Sequence, residues 1–123
     1  MTGGQMAPTT LPGMKATTCQ SGRDVSVNGN PIRVSEMLAT LDGPVYIERV
    51  SVDSAPNVIK AKKAIKKALE CQMKGLGYSF VEVVSSCPTN WGMTPVKAME
   101  FVREKMIPYY PLGVYKDLTE EAK

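Results

Sequence analysis

The residues best equipped for chemistry lie in Ser85-Ser86-Cys87-Pro88-Thr89-Asn90-Trp91-Gly92, a turn rich in hydroxyls and chain breakers around one thiol. Cys87 is its reactive member, because a thiolate is both a nucleophile and a metal ligand. Nothing in the chain would activate it as a nucleophile: the 123 residues contain no histidine, the commonest general base and the usual partner of a catalytic Cys or Ser. Cys19 and Cys71 form with it neither a CxxC pair nor zinc-finger spacing, so this chain alone completes no metal site. The odd cysteine count also speaks against a disulfide framework. A self-sufficient hydrolase is therefore disfavoured. A second stretch, Met1-Thr2-Gly3-Gly4-Gln5, has adjacent glycines that would let backbone amides and a hydroxyl approach a phosphate closely. A plain glycine turn reads the same way, and so does vector-derived sequence, since MTGGQ also occurs in an expression tag. Met6-Ala7-Pro8-Thr9-Thr10 then departs from the tag's pattern.

The elements that must position these residues follow from periodicity. Tyr78–Ser85 carries Phe80, Val81, Val83 and Val84 without in/out alternation, which predicts a strand buried on both faces. Thr94-Pro95 starts a helix, with Thr94 as N-cap and Pro95 in the first turn, where its missing N–H costs nothing. This helix is expected to run to about Met106 and to stop before Pro108. Cys87 thus stands between a strand's carboxyl end and a helix start, where open α/β sheets collect ligands.

Upstream, Val45–Val50 predicts a short strand in which Glu48 marks an edge or half-buried position. The longest helix, about Pro56 to Lys74, has its inward face at Ala61, Ala64, Ile65, Ala68, Leu69 and Met73 and is closed by Gly75. Cys71, within it, reads as a packing residue or an inert exposed thiol. Strand, helix, strand at this spacing is a βαβ crossover with parallel strands. Asn30-Pro31 opens a shorter helix with Val34, Met37, Leu38 and Leu41 on its apolar face. Two convincing strands are too few for a parallel sheet. The fold class is therefore α/β, a partial doubly wound parallel sheet. Three parts are expected: loop segment 1–30, αβαβα portion 31–107, and extended tail 108–123. The tail's Tyr109–Tyr115 is either a strap over its own domain or a docking segment for a partner.

The composition, 43% hydrophobic and 22% charged, suits a soluble globular protein. The net charge of +3 comes largely from Lys60, Lys62, Lys63, Lys66, Lys67 and Lys74 on the long helix. That pattern marks a solvated face and no nucleic-acid partner, since no arginine or aromatic platform lies beside it. No apolar run approaches the roughly 18 residues of a membrane span, and no signal peptide is evident, so no membrane partner and a cytoplasmic address are expected.

Several separated motifs add a more specific reading. MTGGQMAPTT, KAKKAIKKA, SSCPTNWGMTP and MIPYYPLGVYK occur in this order, and together they resemble the thiamine-diphosphate-binding β subunit of 2-oxoacid:ferredoxin oxidoreductases, in its C-terminal part. The likeness runs from Met1 to about Lys116. It implies the C-terminal portion of a thiamine-diphosphate-binding fold in an enzyme that decarboxylates a 2-oxoacid, passes the acyl group to coenzyme A and gives electrons to ferredoxin through a [4Fe–4S] cluster. On this resemblance Cys87 matches the fourth cluster ligand. Thr2, Gly3, Gly4 and Gln5 match a loop passing the diphosphate of thiamine diphosphate, beside Mg2+. Thr89, Asn90 and Trp91 would shape the cluster pocket, with Trp91 equally a core anchor, and Cys19 is incidental. The family's other cluster cysteines and its magnesium-binding Gly-Asp-Gly and Asn have no counterpart in these residues. The chain is therefore expected to be inactive alone and to work in an oligomer with α and other subunits. The competing reading is a non-catalytic assembly module docking on a partner subunit.

Overall fold

The computed structural model describes residues 5–119. Its centre is a three-stranded mixed sheet in the order β2-β1-β3, with β1 Pro44–Ser51, β2 Tyr78–Val84 and β3 Gly113–Asp117. β1 and β2 run parallel, in register from Tyr46 opposite Ser79 to Ser51 opposite Val84, whereas β3 lies antiparallel on the other side of β1. The fold is α/β, with the expected parallel pair at its heart.

Among the described residues, six α-helical pieces and one π-helical stretch surround the sheet. α1 (Val25–Asn28) and α2 (Val34–Ala39) precede β1, and α3 (Ala55–Met73) joins β1 to β2. α4 (Pro88–Trp91) and α5 (Pro95–Phe101) follow β2; a π-helical stretch over Val102–Met106 leads directly into α6 (Ile107–Tyr109). α3 covers one face of the sheet with small residues: Ala61 and Ala64 pack on Val50, and Cys71 packs on Val45 and Tyr46. Alanine at these positions lets the helix axis come close to the sheet. The crossover returns through Gly77, whose φ of +140° disfavours any side chain and whose added Cβ would stand 2.8 Å from Val45 Cγ1.

The opposite face of β1 is held by a polar hub. Arg49 is wholly buried. Its Nε donates to Glu82 Oε2 at 2.8 Å, and its Nη1 donates to Glu36 Oε1 at 3.0 Å, to Pro111 O at 3.2 Å and to Tyr115 Oη at 2.7 Å. Nη2 completes a fork on Glu36, and the rings of Tyr110 and Tyr115 lie 5.2 and 4.9 Å from the guanidinium carbon. Ser35 Oγ donates to the same Glu82 oxygen at 2.6 Å. One cation thus ties α2, β1, β2 and the C-terminal strap together, its hydrogen-bond directions matched by carboxylates, a carbonyl and a phenol.

This hub corrects the expected face of α2. The helix turns Ser35 and Glu36 towards the sheet, leaving Met37 and Leu41 more than half exposed. On α3, Ile65, Leu69 and Met73 likewise face outwards, at 46%, 56% and 86% exposure, although the alanines lie inward as expected. β2 is an edge strand, open on one side, so Tyr78 and Val83 are exposed and the expected two-sided burial does not occur. Glu48 is half-buried, in the central strand. Two further differences concern the C-terminal part. The last helix continues through Pro108 to Tyr109, because the π-helical stretch shifts the hydrogen bonding: Ile107 N–H reaches Val102 O. The following segment lies over its own sheet and supplies β3, a third strand antiparallel to the first two.

Candidate functional site

The segment before α2 is held together by a side chain. Among the described residues, Arg23, 6% exposed, directs its guanidinium only at backbone carbonyls: Nε to Gly29 at 2.9 Å, Nη1 to Ala7, Pro8 and Thr10 at 3.1, 3.0 and 3.0 Å, and Nη2 to Asn28 and Asn30 at 3.4 and 3.0 Å. Hydrogen bonds to a charged donor are each worth about 1.5–3 kcal/mol, which offsets burying the charge with no carboxylate partner among the described residues. The backbone folds back at the same place. Gly13 N–H donates to Arg23 O at 2.9 Å and Arg23 N–H to Met14 O at 3.0 Å. Gly22, at φ +87°, lies so near Gly13 that a Cβ would meet its carbonyl oxygen at 2.6 Å.

Held this way, Leu11 and Met14 pack on Val84, Val102 and Tyr110, and Tyr110 Oη donates to Thr9 O at 2.9 Å. Burial pushes the Tyr110 phenol up to about 12, with the neighbouring Tyr109 acting in the same direction. Between this segment and the carboxyl end of β2 lies a cleft of about 270 Å³, lined by Thr9, Thr10, Met14, Ser85, Ser86, Cys87, Trp91 and Tyr110 among others. Cys87 is partly buried there. It caps α4 through its backbone, with Trp91 N–H donating to Cys87 O at 3.1 Å, and its thiol is not used as the cap. Met93 N–H to Pro88 O at 3.0 Å and left-handed Gly92 close that turn.

Two donors beside Cys87 lack a partner among the described residues: Asn90 Nδ2 and Trp91 Nε1 are both buried and make no hydrogen bond. The Trp91 ring meets that of Phe101 at 5.1 Å between centroids, so the indole is a core anchor as well as a cleft wall. The other two thiols lie elsewhere. Cys71 is buried on the inward side of α3, and the Cys19 thiol donates to Gly22 O at 3.1 Å. Among the described residues no group of three or more His, Cys, Asp or Glu side chains could hold a metal ion. Of the phosphate-approaching stretch, Thr2, Gly3 and Gly4 lie outside the described residues, and Gln5 is exposed two residues before Ala7, whose carbonyl Arg23 holds.

The site therefore offers one thiol at a strand end, with two unpaired N–H donors three and four residues further along the chain. A single thiolate at a strand end fits one ligand of an iron–sulfur cluster; the remaining ligands would come from residues other than those described. Sequence reasoning found the strand end and its cysteine. It missed Arg23, Thr10 and Met14, which sit in a stretch without periodicity. Among the described residues no helix is long and apolar enough to cross a membrane.

Comparison with known proteins gives a consistent set of relatives. Over 123 residues the chain is 46% identical to ketoisovalerate oxidoreductase subunit VorA of Methanothermobacter marburgensis, covering 100% of this chain and 26% of that subunit. It is 35% identical over 126 residues to 2-oxoglutarate synthase subunit KorB of Methanocaldococcus jannaschii, covering 98% of this chain and 41% of that subunit. The chain thus spans about a quarter of the length of VorA. No family model and no solved structure matches it.

Proposed function

We propose that this chain, related along its whole length to the C-terminal region of subunits of the 2-oxoacid:ferredoxin oxidoreductases, is part of such an enzyme and supplies one wall of its cofactor region. The observation that carries this is the kinship over all 123 residues; the cleft at the end of β2, lined by Cys87, supports it. When bound, thiamine diphosphate with Mg2+ supplies the decarboxylation chemistry and a [4Fe–4S] cluster the one-electron steps towards ferredoxin, with coenzyme A as acyl acceptor.

The chain's own contribution is binding and orientation. Cys87 would provide one thiolate to the cluster, and Trp91 lines the cleft beside it. Thr2, Gly3, Gly4 and Gln5 contact the diphosphate. The working unit is a cytoplasmic oligomer with α and other subunits, and the chain by itself is inactive. The higher identity to VorA than to KorB, 46% against 35%, favours a branched-chain 2-oxoacid over 2-oxoglutarate.

The test uses the complete complex carrying Cys87→Ala. Iron content should fall by about four per site, the cluster's spectroscopic signal should vanish, and reduction of ferredoxin should cease while the subunits stay assembled. Unchanged iron content and turnover would refute the ligand assignment. Turnover of ketoisovalerate against 2-oxoglutarate by the unaltered complex decides the substrate class.

A further inference from the structure

We infer that a groove beside the Cys87 cleft is a docking surface for an acidic protein; on the function proposed above, on which this rests, that partner is the ferredoxin. The groove, of about 530 Å³, has Met14, Trp91, Met93 and Phe101 in its apolar lining, with Lys15 and Lys105 beside them. Both lysines are exposed, neither forms an ion pair among the described residues, and no carboxylate lines the groove. An apolar centre with a polar rim is the anatomy of a protein–protein contact, and a rim of one sign selects a partner of the other. The small size suits the brief encounters of redox proteins, which bury less than about 1,200 Å². Its placement ties it to electron transfer. Met14 and Trp91 line both the groove and the Cys87 cleft, so a protein seated in the groove is separated from the cleft by side chains common to both. The Trp91 ring packs on Phe101 at 5.1 Å between centroids, which fixes that shared wall. The lysines of α3 offer no such surface: Lys66 pairs with Glu70 and Lys67 with Asp117, and the depression they line shares no residue with the cleft.

The experiment is calorimetric titration of an oxidised ferredoxin of net negative charge into the complete complex. Lys15→Glu with Lys105→Glu should weaken binding on the order of tenfold at low salt, the scale of electrostatic steering, and added salt should narrow the difference. Iron content and turnover with saturating methyl viologen as acceptor should match the unaltered complex. The same charge reversal at Lys62 and Lys63 on α3 serves as the control for overall charge and should change affinity far less. Unchanged affinity in the Lys15 and Lys105 variant, or an equal loss in the α3 variant, overturns the inference. So does loss of assembly or of iron in the Lys15 and Lys105 variant, which would mean that another part of the enzyme fills the groove. Cys87→Ala separates the inference from its premise. If that variant keeps its iron while the Lys15 and Lys105 variant loses ferredoxin affinity, the docking surface stands and only the ligand assignment falls; if it loses its iron while the lysine variant binds ferredoxin normally, only the docking surface falls.

Discussion

Arg49 of β1 and Glu82 of β2 stand opposite one another in the parallel register, with Nε donating to the carboxylate at 2.8 Å. The pair lies on the sheet face away from α3, and Glu36 shares the same guanidinium. A buried arginine in a central strand is tolerable only because its partners meet it there.

Removing that cation should cost more than removing the hydroxyl beside it. Arg49→Met leaves Glu36 and Glu82 facing one another without a counter-charge, and breaking a buried pair in this way costs about 3–5 kcal/mol. Tyr115→Phe deletes one hydroxyl that both accepts from Arg49 and donates to Pro111 O, so about 1 kcal/mol is expected. Urea unfolding of the chain followed by circular dichroism reads both; equal effects would show that the ion pair is no more than a surface contact.

The same hub makes stability depend on acid. Hydrogen bonding to Arg49 holds the Glu36 carboxyl below its ordinary 4.5, against the opposing effect of burial. At Asp117 burial works the other way, but hydrogen bonds from Lys67 and Thr119 outweigh it and the carboxyl again lies below the ordinary 3.8. A depressed folded-state value means that the unfolded chain takes up protons first. The stabilisation is therefore complete above about pH 4.5 and is lost as pH falls through the lowered values. Urea midpoints measured from pH 6 down to pH 3 should decline across that window, and Arg49→Met should flatten the decline. An equal slope in the variant would assign the acid sensitivity to other groups.

Apolar surface left open by the fold gives a third expectation. Val58, Ile65, Leu69 and Met73 recur at helical spacing on the exposed side of α3, and β2 presents a free edge. Isolated chain should bind a hydrophobic dye and self-associate with rising concentration. Ile65→Lys with Leu69→Glu should lower both signals by several-fold in dye fluorescence and light scattering. A monodisperse, dye-silent wild type would contradict the expectation.

How much of this could be read from the residues alone differs by element. The β1-α3-β2 unit was legible because alanines at helical spacing, a closing glycine and β-branched runs all point the same way. α2 was not, because its buried contacts are a serine and a glutamate, and a hydrophobic pattern cannot foresee a helix docked by charge. β3 hid behind Pro108 and Pro111, being a short strand whose pairing comes from β1 and not from its own sequence. Cys87 was placed by strand-end logic. The wall facing it was not, since Arg23 organises that segment through carbonyls, which every residue carries.

The π-helical stretch between Phe101 and Ile107 has a consequence for aim. Widening the helix by one residue turns everything after it by roughly 100° relative to a regular continuation. Without that extra step, the phenol of Tyr110 would swing away from the Thr9 carbonyl, and the chain behind it would leave the sheet instead of crossing back over Arg49. A single added residue in one helix thus works as a pointing device for both the Thr9 segment and β3.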